Sequence, residues 1–330
     1  MSETRVPPAS SATPASPRIL VFGAGVLGSL YAARLSEAGY PVTLVARGRR
    51  LHDLREHGLV IEEVDTGRQT VTRATIVESM PEADPFDVCL VLVRKTQLSS
   101  ALPALAAGAG VRAFLFMVNT AEGPQPMIDA VGRERVLLGF ANAGGERVGH
   151  LVRVMVARRN AVTMGELGGA ETERLQQIAA AFRSAGFRTT FERDMDAYLR
   201  YHVALVAPFA QALYAAGADN VALSGERATL RLCLRAVREA MAAVRAHGFA
   251  VTPRALVSLR ALPDTLLVPL LARLVAMPIM DIGGVRHALA ARDEMEALFE
   301  ELLILAAEAG TPTQSMVALW RRAQHVMPPG

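Results

Sequence analysis

The residues that most directly suggest chemistry are three glycines in the run VFGAGVLG: Gly23, Gly25 and Gly28. They follow a short apolar run, Arg18 to Phe22, and open a stretch of helical spacing, Val26 to Ala38. In that context each glycine has a physical task. Gly23 permits a tight turn, Gly25 lets the backbone approach a pyrophosphate lying on the helix N-terminus, and Gly28 lets helix and strand pack closely. The turn Gly23, Ala24, Gly25, Val26, Leu27 and Gly28 is therefore read as cofactor-binding; a turn with incidental glycines is the alternative. A site for NAD wants a carboxylate about 20 residues on, at the end of the second strand. Here the strand Val42 to Val45 runs into Arg47, Arg49 and Arg50, with no carboxylate. An Arg fork suits a 2′-phosphate through charge-assisted, bidentate bonds, which points to NADP. A solvated loop in an Arg-rich protein accounts for the same residues without a ligand.

Two further polar residues lie where open α/β sheets bind ligands, at the carboxyl ends of strands. Asn119 ends the apolar run Ala113 to Val118, and Lys95 follows Phe86 to Val93. Lys95 is the single lysine among 35 basic residues, the other 34 being Arg. A lysine can release its proton and an arginine cannot, so a retained ammonium at a strand end is a candidate acid. Chance survival on a loop is the other reading, as a turn that satisfies its own backbone is for Asn119.

These residues need a scaffold. The chain has 330 residues, 51 % of them hydrophobic and 20 % charged, enough for two domains with large cores. A formal net charge of +3 without a basic run argues against nucleic-acid binding. Cys89 and Cys233 offer neither a disulfide framework nor metal spacing. Residues 1–17 are rich in Ser, Pro and Ala and read as a disordered tail, not a signal peptide. The most apolar later run, Ala261 to Met280, is broken by Asp264, Arg273 and three prolines, so no membrane span is expected and the cytoplasm is the expected location.

Up to about Thr190 short β-branched runs alternate with helical ones, the pattern of a doubly wound, mostly parallel sheet. Gln69 to Ile76 pairs hairpin-like with Leu59 to Glu62, and Val148 to Ala157 with Ala161 to Met164 is expected as a terminal hairpin. Beyond Asp194 only helical periodicity remains, from Met195 to Ala216 onward. The expected fold is an α/β N-terminal Rossmann domain, residues 18–190, plus an all-α C-terminal domain, residues 191–330, for substrate and dimerisation. Pro208 is expected to kink its helix beside the interdomain cleft.

The glycine loop, the V-x-L-V-x-R strand at Val42 to Arg47, VRKTQ at Val93 to Gln97, the turn MVNTAEG, the pair Gly165–Glu166, and DEMEAL followed by AGTP occur in an order that resembles the ketopantoate reductase (2-dehydropantoate 2-reductase) family. The resemblance runs from Arg18 to Val326. It implies NADPH-dependent reduction of ketopantoate to pantoate, a step of pantothenate (vitamin B5) synthesis. It places Asn119 by the nicotinamide and substrate and Glu294 on the bound ligands; without the resemblance, Glu294 belongs to a solvated acidic face, Asp293 to Glu301. The family's cofactor lysine falls on Arg94, with Lys95 one position later. The family's proton-donating lysine falls on Arg200, and two substrate-binding asparagines fall on Ala204 and Pro208. Arg200 can stabilise a developing alkoxide but is a poor acid. Lys95 and His202, which shares a helix face with Tyr198, are the remaining candidate donors. The expected partner is a small 2-keto acid, with no nucleic acid and no membrane, and a homodimer is left open. Reduction of a different 2-keto acid, or NADPH binding without catalysis, is the alternative.

Overall fold

The computed structural model describes residues 16–82, 84–141, 143–155, 161–277, 280, 285 and 287–327. All but the last two residues of the expected tail lie outside this range.

Strands β1 (Ile19–Phe22) and β6 (Val88–Val91) are buried at every position, as an apolar run covered on both faces by helices must be. They are neighbours at the centre of an eight-stranded sheet. On one side of β1 lie β2 (Val42–Val45) and β5 (Thr75–Val77); beyond β6 lie β7 (Phe114–Phe116), β8 (Val136–Phe140), β11 (Ala161–Glu166) and β12 (Arg188–Phe191). From β5 to β8 every pairing is parallel; β11 runs antiparallel to β8 and parallel to β12. The chain leaves β1 toward β2 and later returns to β1's other edge with β6. The switch point, and with it the ligand crevice of such sheets, lies at the carboxyl ends of β1 and β6.

Helix α1 (Val26–Glu37) follows β1, α2 (Gly48–His57) follows β2, α3 (Lys95–Ala106) follows β6 and α4 (Gln125–Val131) precedes β8. Helix α5 (Glu173–Ser184) lies between β11 and β12, its first turn capped by Thr172 accepting from the Leu175 N–H.

The expected hairpins are rearranged. Strands β3 (Leu59–Glu63), β4 (Gln69–Thr72), β9 (Gly144–Val148) and β10 (Leu151–Met155) make a second sheet in the order β4-β3-β10-β9. Leu151–Met155 turns back on Gly144–Val148, not on 161–164, because Gly149, at φ 61°, supplies the tight reversal. Residues 161–166 instead extend the main sheet. The run Gln69 to Ile76 is likewise divided, β4 joining the small sheet and β5 the large one. The expected strand's last two residues, 156 and 157, lie outside the described residues.

Among the described residues the regular elements of the C-terminal region are helices: α6 (Met195–Ala215), α7 (Asn220–Gly225), α8 (Arg227–Ala246), α9 (Val257–Ala261), α10 (Asp264–Val275), α11 (His287–Ala290), α12 (Arg292–Glu308) and α13 (Gln314–Val326). Helices α6, α8, α12 and α13 share one apolar core, whose members include Tyr201, Tyr214, Leu230, Met241, Phe299 and Leu319. Helix α6 continues through Pro208 as a single element. Ala204 and Pro208 are buried inside that core, and the Pro208 carbonyl accepts from Cys233 Sγ at 3.8 Å, so neither residue widens a cleft. The expected helix over 286–309 breaks at Ala291, which leaves the helical region at φ −124°, ψ 36°; residue 286 itself lies outside the described residues. Among the described residues no helix is long and apolar enough to cross a membrane, and no cluster suits a metal ion. Both cysteines are free and buried.

Candidate functional site

At the carboxyl end of β1 the three glycines differ in what surrounds them. Gly23 sits at φ 111°, and a Cβ there would lie 2.3 Å from the Leu92 carbonyl oxygen. A Cβ on Gly28 would lie 1.8 Å from the carbonyl oxygen of Gly23. These two glycines are imposed by the packing of the turn on itself and on β6. Gly25 differs, since a Cβ there meets nothing within 4 Å. Its missing side chain leaves open space in front of the first N–H groups of α1, where a helix offers orphan donors and partial positive charge.

The three arginines after β2 separate. Arg47 and Arg49 are exposed and make no side-chain hydrogen bond or ion pair among the described residues. Arg50 turns under the glycine loop: Nε donates to the Ala24 carbonyl at 3.2 Å, and its other nitrogens donate to Ser29 Oγ at 2.8 Å and to the His150 carbonyl at 3.1 Å. Burial first, and the nearby Arg147 charge second, bring its pKa down to about 10, where it is still a cation at neutral pH. Arg50 braces the turn from behind, whereas Arg47 and Arg49 face solvent at the end of β2. Their adjacency in sequence gives no sign of this division.

The other candidates gather at the ends of β6 and β7. Lys95 opens α3, and its ammonium lies 2.6 Å from Glu122 Oε1, 2.9 Å from Glu301 Oε1 and 3.5 Å from Thr120 Oγ. Its backbone N–H donates to Glu294 Oε1 at 2.9 Å. Burial raises the pKa of Glu294, outweighing that hydrogen bond and the Arg94 charge. Arg94 reaches away to α12, pairing with Asp293 at 3.2 Å and donating to the Ala290 carbonyl at 2.6 Å. Asn119 stands one residue before Thr120, half-buried, with no side-chain hydrogen bond among the described residues. Buried Thr120 holds the turn by accepting from the Gly123 N–H at 3.2 Å.

Arg200 approaches the same turn from the opposite side. It is buried and donates to the carbonyls of Ala121 and Glu122, the latter at 2.9 Å, and to Asp196 Oδ1 at 2.8 Å; its guanidinium lies 4.3 Å from the Phe249 ring centre. As the helical spacing predicts, Tyr198 and His202 share another face. Both pack on Phe140 at the end of β8, with ring centres 5.8 and 4.3 Å away.

Sequence reasoning places Glu301 on the solvated acidic face of α12, yet it lies at this junction. Its Oε2 accepts from the backbone N–H groups of Ala121 at 2.7 Å and Glu122 at 3.1 Å, while Oε1 holds Lys95. No local signal separates it from Glu300, because its partners lie about 180 to 206 residues away in the chain.

Residues 19–169 match the family described as ketopantoate reductase PanE/ApbA. The resemblance to the ketopantoate reductases holds. The matched stretch carries the glycine loop, Arg47, Lys95 and Asn119, and it ends before Arg200, His202, Glu294 and Glu301. A 2-dehydropantoate 2-reductase of Halobacterium salinarum is 28 % identical over 236 residues, covering 71 % of this chain and 77 % of that protein. Two solved structures share the fold. The PanE/ApbA family ketopantoate reductase of Ralstonia eutropha superposes with a TM-score of 0.75 at 18 % identity, covering 94 % of this chain and 98 % of the other. A D-mandelate dehydrogenase in ternary complex with NADH and anilino(oxo)acetate superposes at 0.74 with 14 % identity, covering 93 % and 97 %.

Proposed function

We propose that the protein is a cytoplasmic oxidoreductase that reduces a small 2-keto acid with NADPH, residues 18–190 holding the cofactor and residues 191–330 completing the substrate site. Ketopantoate, reduced to pantoate for pantothenate synthesis, is the first substrate to test, because it is the one named by the curated relatives. The observation that carries the reading is the pairing, at adjacent strand ends, of an open phosphate-type turn with the Lys95 ammonium, which reaches Thr120 in the turn that begins at Asn119.

The chain's own residues fit a dinucleotide. The space in front of Gly25 admits a pyrophosphate against the α1 N-terminus, and Arg47, exposed and without a partner among the described residues, is available to a 2′-phosphate. When bound, the nicotinamide supplies the hydride for the keto carbon. The Asn119 amide has no side-chain hydrogen bond among the described residues and is a donor for the substrate's keto oxygen. Lys95 holds the proton that the resulting alkoxide needs. Arg200 is better read as the brace of the Ala121–Glu122 turn than as a group meeting substrate, since Asp196 and two carbonyls already engage its guanidinium. His202, against Phe140, is the rival donor.

Ala204 and Pro208 offer no side-chain donor and lie in the helical core, which favours a second reading in which the substrate is a 2-keto acid other than ketopantoate. A keto-acid panel containing ketopantoate, phenylglyoxylate and aliphatic analogues, followed by NADPH absorbance, separates the two. Turnover of none of them would favour NADPH binding without catalysis. For the cofactor, fluorescence titration should give at least tenfold tighter binding of NADPH than NADH, about 1.4 kcal/mol, and Arg47→Ala should erase the difference. Equal affinities in the wild type would overturn the NADP assignment.

A further inference from the structure

Glu301 joins three segments with one carboxylate. It pairs with the Lys95 ammonium and accepts from two consecutive backbone N–H groups in the turn that begins at Asn119. Its side chain and that of Lys95 are each only 11 % exposed, whereas Glu122, the other carboxylate on Lys95, is 45 % exposed. Attraction between the less exposed pair is the less screened of the two. The remaining charged groups around Lys95 are already engaged. Glu294 takes the Lys95 backbone N–H, Asp293 takes Arg94, and Arg200 lies on the carbonyl side of the turn.

We propose that Glu301 is a positioning residue of the reductase site, fixing the Lys95 ammonium and the Asn119–Gly123 turn in one register. The proposal rests on the reductase reading given above. A lysine ends in a compact charge on a flexible four-carbon stem, so its place is set by its partners. A carboxylate bonded at once to that ammonium and to the turn bearing Asn119 ties the proton's location to the proposed keto-oxygen donor. In the step it serves, one Lys95 N–H bond breaks and the substrate O–H bond forms. The neutral amine then regains a proton from water on the exposed Glu122 side.

The test uses the full-length protein with Glu301→Gln. Glutamine keeps an oxygen for the turn's N–H groups but removes the charge that faces Lys95. Because the chain contains one lysine, biosynthetic labelling with 13Cε-lysine gives a single NMR signal from Lys95. Its titration midpoint should fall by at least about half a pH unit in Glu301→Gln, loss of a nearby opposite charge favouring the neutral amine. In the neighbouring control Glu300→Gln it should not move. NADPH affinity should be unchanged while kcat falls on the order of ten- to hundredfold, the scale of a misplaced reacting group. The basic limb of kcat should also move to lower pH.

A midpoint in Glu301→Gln equal to the wild type overturns the proposal. So does a shifted midpoint accompanied by unchanged kcat and pH profile. If the wild type reduces no keto acid, the reductase reading fails, while the lysine midpoint still decides whether Glu301 governs Lys95. Should Glu301→Gln not fold, Glu301→Asp retains the charge on a shorter stem. It is expected to keep the midpoint and lose kcat at saturating NADPH, and unchanged kcat there overturns the proposal.

Discussion

The glycine turn and the charged junction between α3 and α12 lie at neighbouring strand ends of one sheet, yet they are built in opposite ways. The turn works through side chains that are missing. Its geometry is fixed by six consecutive residues and the end of β6, with Arg50 as the one long side chain that braces it. The junction works through long side chains drawn from residues 94–96, 119–123, 200 and 290–301. A short-range device leaves a spacing in the sequence, whereas an assembled one leaves only residue types that also occur on ordinary solvated faces.

The sharpest way to break this contrast is to remove Arg200, the junction's most buried cation. Arg200→Ala leaves two carbonyls and the partly exposed Asp196 without their donor, a loss on the order of 3 kcal/mol, at about 1 kcal/mol or more per lost bond. Denaturant unfolding would show it, and a loss below 1 kcal/mol would mean that the turn is held by Thr120 and Glu301 alone. Within the glycine turn, Gly28→Ala should destabilise by about 3 kcal/mol, because its Cβ would meet backbone that cannot move aside. Gly25→Val makes the opposite test. The fold should survive, as judged by circular dichroism, while NADPH affinity falls at least about a hundredfold, or about 2.7 kcal/mol. Normal binding by folded Gly25→Val would place the cofactor elsewhere.

The smallest effect concerns Glu294. Burial raises its folded pKa, so the native state binds more protons than the unfolded chain between the two values, and stability falls as pH rises through them. Glu294→Gln should therefore raise Tm above the folded pKa. The difference should vanish below about pH 4.3, the ordinary value for Glu. Glu166 has the reverse sign. Burial works against its ionised form, but hydrogen bonds from Arg174 and Thr172 outweigh it and hold the pKa below the usual range. It contributes stability above the ordinary Glu value, which is lost as pH falls through the depressed one.

The same contrast explains how far the sequence could be read. The parallel sheet, the helical second half and the glycine turn follow from apolar runs and local spacing, and the facing of Tyr198 and His202 follows from 3.6-residue periodicity. The small sheet did not, because β3 pairs with β10 in parallel across some 90 residues and nothing in either run names its partner. The role of Arg50 was hidden for a related reason: only the tertiary path of the β9–β10 turn brings the His150 carbonyl to it. Lys95 was visible through its rarity. Glu301, one acid among several on its helix, was not.

The clamp on Ala121 and Glu122 bears on how the protein could be divided. The chain suggests a cut near Thr190, and a fragment ending there would contain every strand through β11. It would contain neither Glu301 nor Arg200, so two N–H groups and two carbonyls of the turn would lose their partners together. Such a fragment keeps the glycine turn whole but leaves the Asn119–Gly123 turn without its brace. On the proposed function, the piece that would hold a nucleotide lies within the first half, whereas the piece that would present a substrate draws on both halves of the chain.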